Sequence, residues 1–374
     1  MTAVSTLTDH GRDLARVEAD LGEAAALEEA VAQGPDAVTR VLQLHVLRAS
    51  LTGRPAAQAD VARIADRALD LLGPWPDLCL LRADLAMRGH RLADARRELA
   101  RAPGAAECTQ GRAVLVDLLV QQGDVDGAEA LATELVAEER TWDHLARLAH
   151  LAVVRGDVER ADRLYVEAED EITVKSMRSF AWVELERGRL CVLTGNTAAA
   201  HRHYTRAAKA YTGHWTVSQR MGELDAAVGR TTDAIRRLET VLTRTGRPEI
   251  SQTLASLYAR SGDHVRARKH RRLALATFVT SAFRGEVLYL HHLAELADPA
   301  AAVGWARRDL QLRPNHLTRS TLALALLRDG HTTEARTEMS AALATGLRDP
   351  RLMARAAAVL GDREPVSQVS ARRP

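Results

Sequence analysis

The stretch GDVERADRLYVEA, residues 156–168, contains the spacing that decides the fold. Its Gly156 is followed five residues later by Ala161, and then by Tyr165 and Ala168 at offsets of four and three. The glycine-to-alanine step occurs six times, and two degenerate copies extend the series, so that the alanines are Ala95, Ala128, Ala161, Ala200, Ala234, Ala267, Ala302 and Ala335. They lie 33 to 35 residues apart, with one step of 39, which is the period of a helix-turn-helix repeat.

The spacing has a direct physical interpretation. Glycine can adopt the left-handed backbone conformation that ends one helix and begins a tight turn. The alanine lies where the second helix packs on the first, because only a small side chain lets the two helix axes approach closely. Offsets of four and three keep the following residues on the same helix face, where the large core residues are Tyr165, Tyr204, Leu238 and Met339.

These residues resemble the motif of the tetratricopeptide repeat (TPR) family, which has a small residue in its first helix and a small–large–small set in its second. Gly188 and Gly222 supply the small residue of the first helix. The sequence departs from the family at aromatic positions of that helix, where Cys191, Asp225 and Ala152 stand. The resemblance implies an all-α, right-handed α-solenoid of about nine TPR-like helix-turn-helix repeats. It implies little about function, because this scaffold serves many partners.

Four segments are expected along the chain. Residues 1–35 form an N-terminal capping helix, a single amphipathic helix from Asp9 to Gln33, and residues 36–345 form the repeat array. Residues 346–361 form a C-terminal capping helix, because a terminal repeat has no neighbour to cover it. Residues 362–374 are polar and contain two prolines, so we expect a disordered tail. Within the array, each repeat is expected to contact only its neighbours.

The composition excludes several classes of function. The 51 basic and 49 acidic residues leave a formal net charge of +2, which gives no electrostatic argument for nucleic acid or an anionic membrane. Cys79, Cys108 and Cys191 lie far apart without a CxxC motif, so neither a disulfide framework nor a zinc site is indicated. No signal-peptide pattern and no long apolar run occurs. We expect a cytoplasmic protein without metal, cofactor, nucleic acid or membrane among its partners.

The concave face of a stack of helix pairs is lined mainly by the first helices. The resemblance assigns the inward positions, which are acidic in the first third, densely charged with both signs in the middle, and mostly neutral at the end. Trp182 is the expected apolar anchor, since Trp and Arg dominate interface hot spots. We predict an adaptor with no catalytic residue, whose protein or peptide partner is held by Asp84, Asp117, Arg147, His150, Trp182, Glu186, Arg189, Arg220, Glu223 and His291.

Two alternatives remain open for the groove. In the first, the chain is an enzyme or a protein that binds a metal or small ligand, and a closed superhelix forms a pocket from His150, His291 and the central Arg and Glu side chains. In the second, the groove is solvated and its charges pair internally at little net gain. The internal pairs would be Arg147 with Glu186 and Arg220 with Glu223.

One basic run, Arg266–Arg272, falls on a second helix and therefore on the convex side. A solvated helix face explains it, and contact with an acidic partner or nucleic acid is the alternative. Among catalytic motifs, the chain contains no HExxH, no glycine-rich phosphate loop and no GxSxG. The enzyme alternative therefore depends on spatial convergence alone.

Overall fold

The computed structural model describes residues 7–24, 27–173, 176–347 and 350–361. Within these ranges the chain forms twenty-one α-helices and no β-strand, which confirms the all-α solenoid prediction. The helices are α1 (Asp9–Glu23), α2 (Leu27–Gln33), α3 (Pro35–Thr52), α4 (Pro55–Leu72), α5 (Pro76–Arg88), α6 (Leu92–Arg101), α7 (Thr109–Gln121), α8 (Val125–Glu138), α9 (Trp142–Arg155), α10 (Val158–Asp170), α11 (Met177–Leu193), α12 (Thr197–Ala210), α13 (Trp215–Ala227), α14 (Thr231–Thr245), α15 (Pro248–Arg260), α16 (His264–Phe283), α17 (Leu290–Leu296), α18 (Pro299–Leu312), α19 (His316–Arg328), α20 (Thr332–Leu343) and α21 (Pro350–Leu360).

Helices α3 to α20 form nine consecutive pairs, which we number as repeats 1 to 9. Each helix packs on its partner and on the adjacent pair. In repeats 2 to 9 the second helix carries the alanine of the sequence pattern. Seven of these alanines are 0% exposed, and Ala267 is 8% exposed. The close helix contact predicted from the alanine spacing is therefore confirmed.

The turn inside eight of the nine repeats contains a left-handed residue, whereas in repeat 8 the turn residue Ala297 is extended, with φ −69° and ψ 166°. Gly156 ends α9 with φ 77°, which an L side chain rarely adopts. Asp157 follows it and caps α10, because its carboxylate accepts a hydrogen bond from the backbone N–H of Arg160 at 3.0 Å. In repeat 2, His90 takes the place of the glycine at φ 59°, so the degenerate copy keeps the same backbone conformation.

The N-terminal prediction was wrong in one respect. A single helix from Asp9 to Gln33 is not formed; α1 ends at Glu23, and Ala24 is extended with ψ 142°. The two helices bury their apolar faces against different cores: Val17 packs with Leu51, whereas Ala30 belongs to the core of repeats 1 and 2. A straight helix cannot reach both. At the other end, α21 lies within the predicted capping segment, and the predicted tail, residues 362–374, lies outside the described residues.

The superhelix closes on itself about five repeats along the chain. The turn inside repeat 3 meets the loop after repeat 8, where the Asn315 side-chain amide donates a hydrogen bond to the Gln121 carbonyl at 3.1 Å. The turn inside repeat 4 meets the loop after repeat 9 so closely that a Cβ on Gly156 would lie 2.4 Å from the Gly346 carbonyl oxygen. The loop after repeat 8 also reaches the turn of repeat 2, where Arg313 lies 3.2 Å from His90. Nearer the N-terminus, Arg54 in the turn of repeat 1 donates a hydrogen bond to the Arg244 carbonyl of repeat 6 at 3.2 Å. Thr212, after repeat 5, donates to Asp9 of α1 at 2.7 Å.

The closure also involves apolar packing. Leu145 and Ala149 of repeat 4 share one buried cluster with Leu322 and Leu326 of repeat 9. The expectation that each repeat touches only its neighbours is therefore wrong for this chain. Repeats that are five positions apart in sequence meet, because the turns on one edge of the first half lie against the loops on the edge of the second half.

Candidate partner-binding groove

The middle of the concave face is built from α9, α11 and α13, the first helices of repeats 4 to 6. Each contributes two predicted groove residues three positions apart, a spacing that puts both on one helix face. All six side chains are partly buried. The structure therefore brings together Arg147 and His150, Glu186 and Arg189, and Arg220 and Glu223 as adjacent columns of charge.

The charges of the fifth and sixth repeats pair within their own helices. Arg189 donates to Glu186 at 2.8 Å, and its guanidinium also lies 3.5 Å from Nδ1 of His150. Arg220 donates to Glu223 at 2.9 Å, which confirms one of the two internal pairs considered from the sequence. These contacts involve five of the six side chains, all except Arg147.

Arg147 pairs differently from the sequence expectation. The predicted pair with Glu186 is wrong, because Arg147 instead donates to Asp143 at 3.1 Å and to Asp117 at 3.3 Å. Asp143 lies one helical turn before Arg147 on the same helix, so Arg147 pairs within α9 instead of with Glu186 on α11. Asp84, the next acidic inward residue, pairs with Arg88 at 2.7 Å.

Burial in the groove shifts several pKa values. Burial, together with the adjacent Arg189, lowers the pKa of His150 to about 4, so this side chain is neutral at neutral pH. Removal from water raises the pKa of Asp117, and Arg147 only partly opposes this effect. For Glu186 the balance is reversed: burial alone would raise its pKa, but Arg189 and Arg220 hold it below the ordinary value. His316 of repeat 9 also acts on His150, a contribution that no local pattern could reveal.

Trp182 lies on α11, one helical turn before Glu186, and is 42% exposed. Its ring meets Trp142 edge-on with centroids 5.8 Å apart. Trp142 packs against the core, so it supports Trp182 from beneath. An exposed aromatic ring on a rigid aromatic support is suited to anchoring an apolar side chain.

His291 lies in a different cluster from His150. Its ring is 6.1 Å from that of His90 and 4.0 Å from that of His292, between centroids, and Nδ1 lies 3.9 Å from a carboxylate oxygen of Asp309. Burial and the neighbouring cations hold the pKa of His291 far below its ordinary value. Across the described ranges, no group of three His, Cys, Asp or Glu side chains is arranged to hold a metal ion.

The groove has an open cavity of about 430 Å³ at its N-terminal end. Leu47 and Leu81 supply its apolar wall. Arg178 of α11 also lines the cavity, and the sequence pattern missed it because α11 belongs to repeat 5, whereas the other lining residues belong to repeats 1 and 2. The complete lining is Gln43, Val46, Leu47, Ser50, Leu81, Asp84, Arg88 and Arg178.

Solved structures share this architecture. The chain matches one in the crystal structure of the APC/C hetero-tetramer Cut9–Hcn1 with a TM-score of 0.50 at 14% identity, over 94% of this chain and 60% of that one. The chain has the fold of a tetratricopeptide-repeat solenoid. Other matches are a tetratricopeptide repeat protein from Parabacteroides merdae (13% identity, 75% of this chain and 97% of that one, TM-score 0.36) and PilF of Pseudomonas aeruginosa (17%, 64% and 99%, 0.40). No family model and no curated protein matches the sequence.

This TPR solenoid replaces aromatic packing with ion pairs at one departure from the motif. Asp225, on α13, is buried, and its carboxylate accepts hydrogen bonds from Arg230 at 2.6 Å and Arg237 at 3.3 Å. The two arginines tie the first helix of repeat 6 to the second. Of the helices in the described ranges, none has both the length and the apolar character to cross a bilayer.

Proposed function

We propose that the chain is a protein-interaction scaffold, and that its concave groove binds an extended segment of a partner polypeptide. The observation that carries the proposal is the cavity of about 430 Å³ in the groove, which has an apolar wall and charged side chains of both signs. An apolar side chain of the segment would enter between Leu47 and Leu81. Asp84 and Arg178 would then fix the direction of the segment through charge.

From the cavity the segment would continue toward the charged middle of the groove. Ion pairs between partly exposed side chains contribute only about 0–1 kcal/mol each. Charged groups of a partner can therefore exchange with the pair Arg220–Glu223 at small cost, because both of its side chains are about one third exposed. Trp182, exposed and supported from beneath, would hold a second apolar side chain.

The test is a selection of random peptides displayed on phage against the purified protein, followed by binding measurements with the selected peptides. Leu81→Glu puts a charge on the cavity wall and should weaken binding by about tenfold or more, equivalent to about 1.4 kcal/mol. Leu71→Glu is the matched control, because Leu71 is exposed on α4, outside the cavity lining. Affinity should also fall as salt rises.

The proposal fails if the selected peptides bind Leu81→Glu, Asp84→Lys and Trp182→Ala as tightly as the unchanged protein. A peptide set that loses affinity equally for Leu81→Glu and Leu71→Glu would also contradict it, since the loss would then not depend on the groove.

A further inference from the structure

Helix α16 carries an unusual face on the convex side. It has 20 residues, and its sequence contains five Arg and Lys residues and no Asp or Glu. Three of its large apolar side chains are also exposed: Val265 (71%), Leu273 (50%) and Phe283 (87%). At 3.6 residues per turn, Val265, Arg272 and Phe283 fall on one stripe, which is about 27 Å long at 1.5 Å per residue.

Only one of the five cations of α16 pairs with an acidic side chain in the described part of the chain. Arg266 pairs with Asp263, and Arg271 donates to the carbonyl of Leu296. Arg268, Lys269 and Arg272 are exposed and form no ion pair with any other residue in the described part of the chain. We call the exposed face formed by Val265, Arg268, Lys269, Arg272, Leu273 and Phe283 the basic ridge.

The opposite charge is concentrated at the N-terminal end of the same chain. Residues 9–36 contain eight acidic side chains and two basic ones. Asp9, Asp13 and Glu18 pair with arginines. The remaining acids are exposed and form no ion pair within the described ranges, and we call them the acidic end: Asp20, Glu23, Glu28, Glu29 and Asp36.

We propose that the basic ridge of one copy of this chain docks on the acidic end of a second copy. The protein is almost neutral overall, yet these two surfaces carry unpaired charge of opposite sign, the ridge on repeat 7 and the acidic end before and at the start of repeat 1. Such surfaces attract each other between molecules and steer their encounter. The exposed apolar side chains of the ridge give the contact a component that salt does not screen, and a purely electrostatic nucleic-acid surface would not need them.

The contact is heterologous, since the two surfaces differ, so successive copies add head to tail. A 20-residue helix presents roughly 300 Å² of surface from its length and width, well below the roughly 800 Å² per partner of stable complexes. The association is therefore weak, depends on concentration and falls with salt. It does not depend on the groove, so the groove proposal can fail while this one holds.

The test is sedimentation equilibrium of the full chain over a range of concentrations, at about 50 mM and about 500 mM NaCl. At low salt the weight-average mass should rise with concentration above the 40.8 kDa of one chain, and at high salt it should stay near that value. Two charge-reversed variants are compared: Glu28→Arg/Glu29→Arg in the acidic end and Arg268→Glu/Arg272→Glu in the ridge. Each variant alone removes most of the charge difference between the two surfaces, so its mass should stay close to that of one chain.

In an equimolar mixture, the unchanged ridge of the acidic-end variant can dock on the unchanged acidic end of the ridge variant, so association should return as far as a dimer. The control matched to the ridge variant is Arg307→Glu/Arg308→Glu, on the exposed face of α18, which makes the same change in net charge as that variant and should associate like the unchanged protein. All these positions are exposed, and thermal melting followed by circular dichroism checks that each variant folds.

Three results would overturn the proposal. The first is an unchanged protein that stays monomeric at low salt at every concentration. The second is a mixture of the reversed variants that does not regain mass. The third is a monomeric protein that cosediments with phosphatidylglycerol vesicles and loses this binding in Arg268→Glu/Arg272→Glu, which would assign the ridge to a lipid surface.

Discussion

At the scale of single residues, the repeat alanines set how closely the two helices of each pair approach. Ala161 is 0% exposed on α10 and belongs to a buried cluster that also contains Ala323 and Met339 of repeat 9. A larger side chain here has no free volume to occupy. Because the cluster includes side chains from both halves of the chain, strain at this position reaches beyond the adjacent repeats.

Ala161→Leu should therefore lower the free energy of unfolding by about 1–3 kcal/mol through overpacking. Chemical denaturation measures the loss, and hydrogen exchange should show increased rates in repeats 4 and 9. Ala130→Leu, at an exposed position of α8, makes the same chemical change without burial and should have little effect. Faster exchange confined to repeats 3 to 5 would contradict the shared cluster.

At the scale of elements, the turns and loops are what hold the two halves together. Gly156 and Gly195 occupy equivalent turns in repeats 4 and 5, with φ values of 77° and 74°. A Cβ on Gly156 would meet the Gly346 carbonyl, whereas a Cβ on Gly195 would have no atom within 4 Å apart from those of its chain neighbours. A comparison of substitutions at Gly156 and Gly195 therefore separates the effect of backbone strain, which both share, from the effect of the contact with Gly346, which only Gly156 makes.

Gly156→Ala and Gly195→Ala should both lose about 1–2 kcal/mol of stability, because each forces an alanine into the left-handed conformation. Gly156→Ala should lose more, since its methyl group also pushes the loop after repeat 9 away. Hydrogen exchange should then increase in α21 for Gly156→Ala only. Equal stability losses with identical exchange patterns would show that the contact at Gly346 does not hold the halves together.

At the scale of the whole molecule, closure places histidines between the two halves. Burial, together with Arg313 and His292, lowers the pKa of His90 to about 3. Burial, together with His10, Arg178 and Arg244, lowers that of His214 to about 4. Every charged group named beside them is a cation or a histidine, so protonation adds repulsion at the closure.

The closure should therefore weaken in acid. Both histidines have folded-state pKa values below the ordinary 6.5. The contribution of the neutral histidines to the stability of the closure is therefore complete above pH 6.5 and is lost as pH falls toward 4 and then 3. Small-angle scattering should show a rising radius of gyration in this window while helix content, from circular dichroism, is still retained. In His90→Asn/His214→Gln the rise should be smaller; an equal rise would assign the acid response to other groups.

Local features of the fold were predictable from the sequence, and long-range ones were not. The burial of Ala161 between two helices and the turn at Gly156 depend on residues within one helix pair. The sequence of a single repeat is therefore enough to predict them. The end of α1 at Glu23 depends on the two separate cores that bury the apolar faces of α1 and α2. The pairing of Arg147 with Asp117 depends on the contact between helices of different repeats. The approach of His316 to His150 depends on the summed rotation of five repeats, and no pattern of residues encodes that sum.

The closure five repeats apart makes repeat number a fixed property of this protein. An open array can gain or lose a unit by duplication or deletion of one 34-residue segment, with a change only in length. Here the insertion of one unit between repeats 4 and 5 would move every turn of the first half one position out of register with its loop. Asn315 would no longer face Gln121, and Gly346 would no longer face Gly156. Descendants of this gene should therefore vary in surface residues and termini while keeping the same count of repeats.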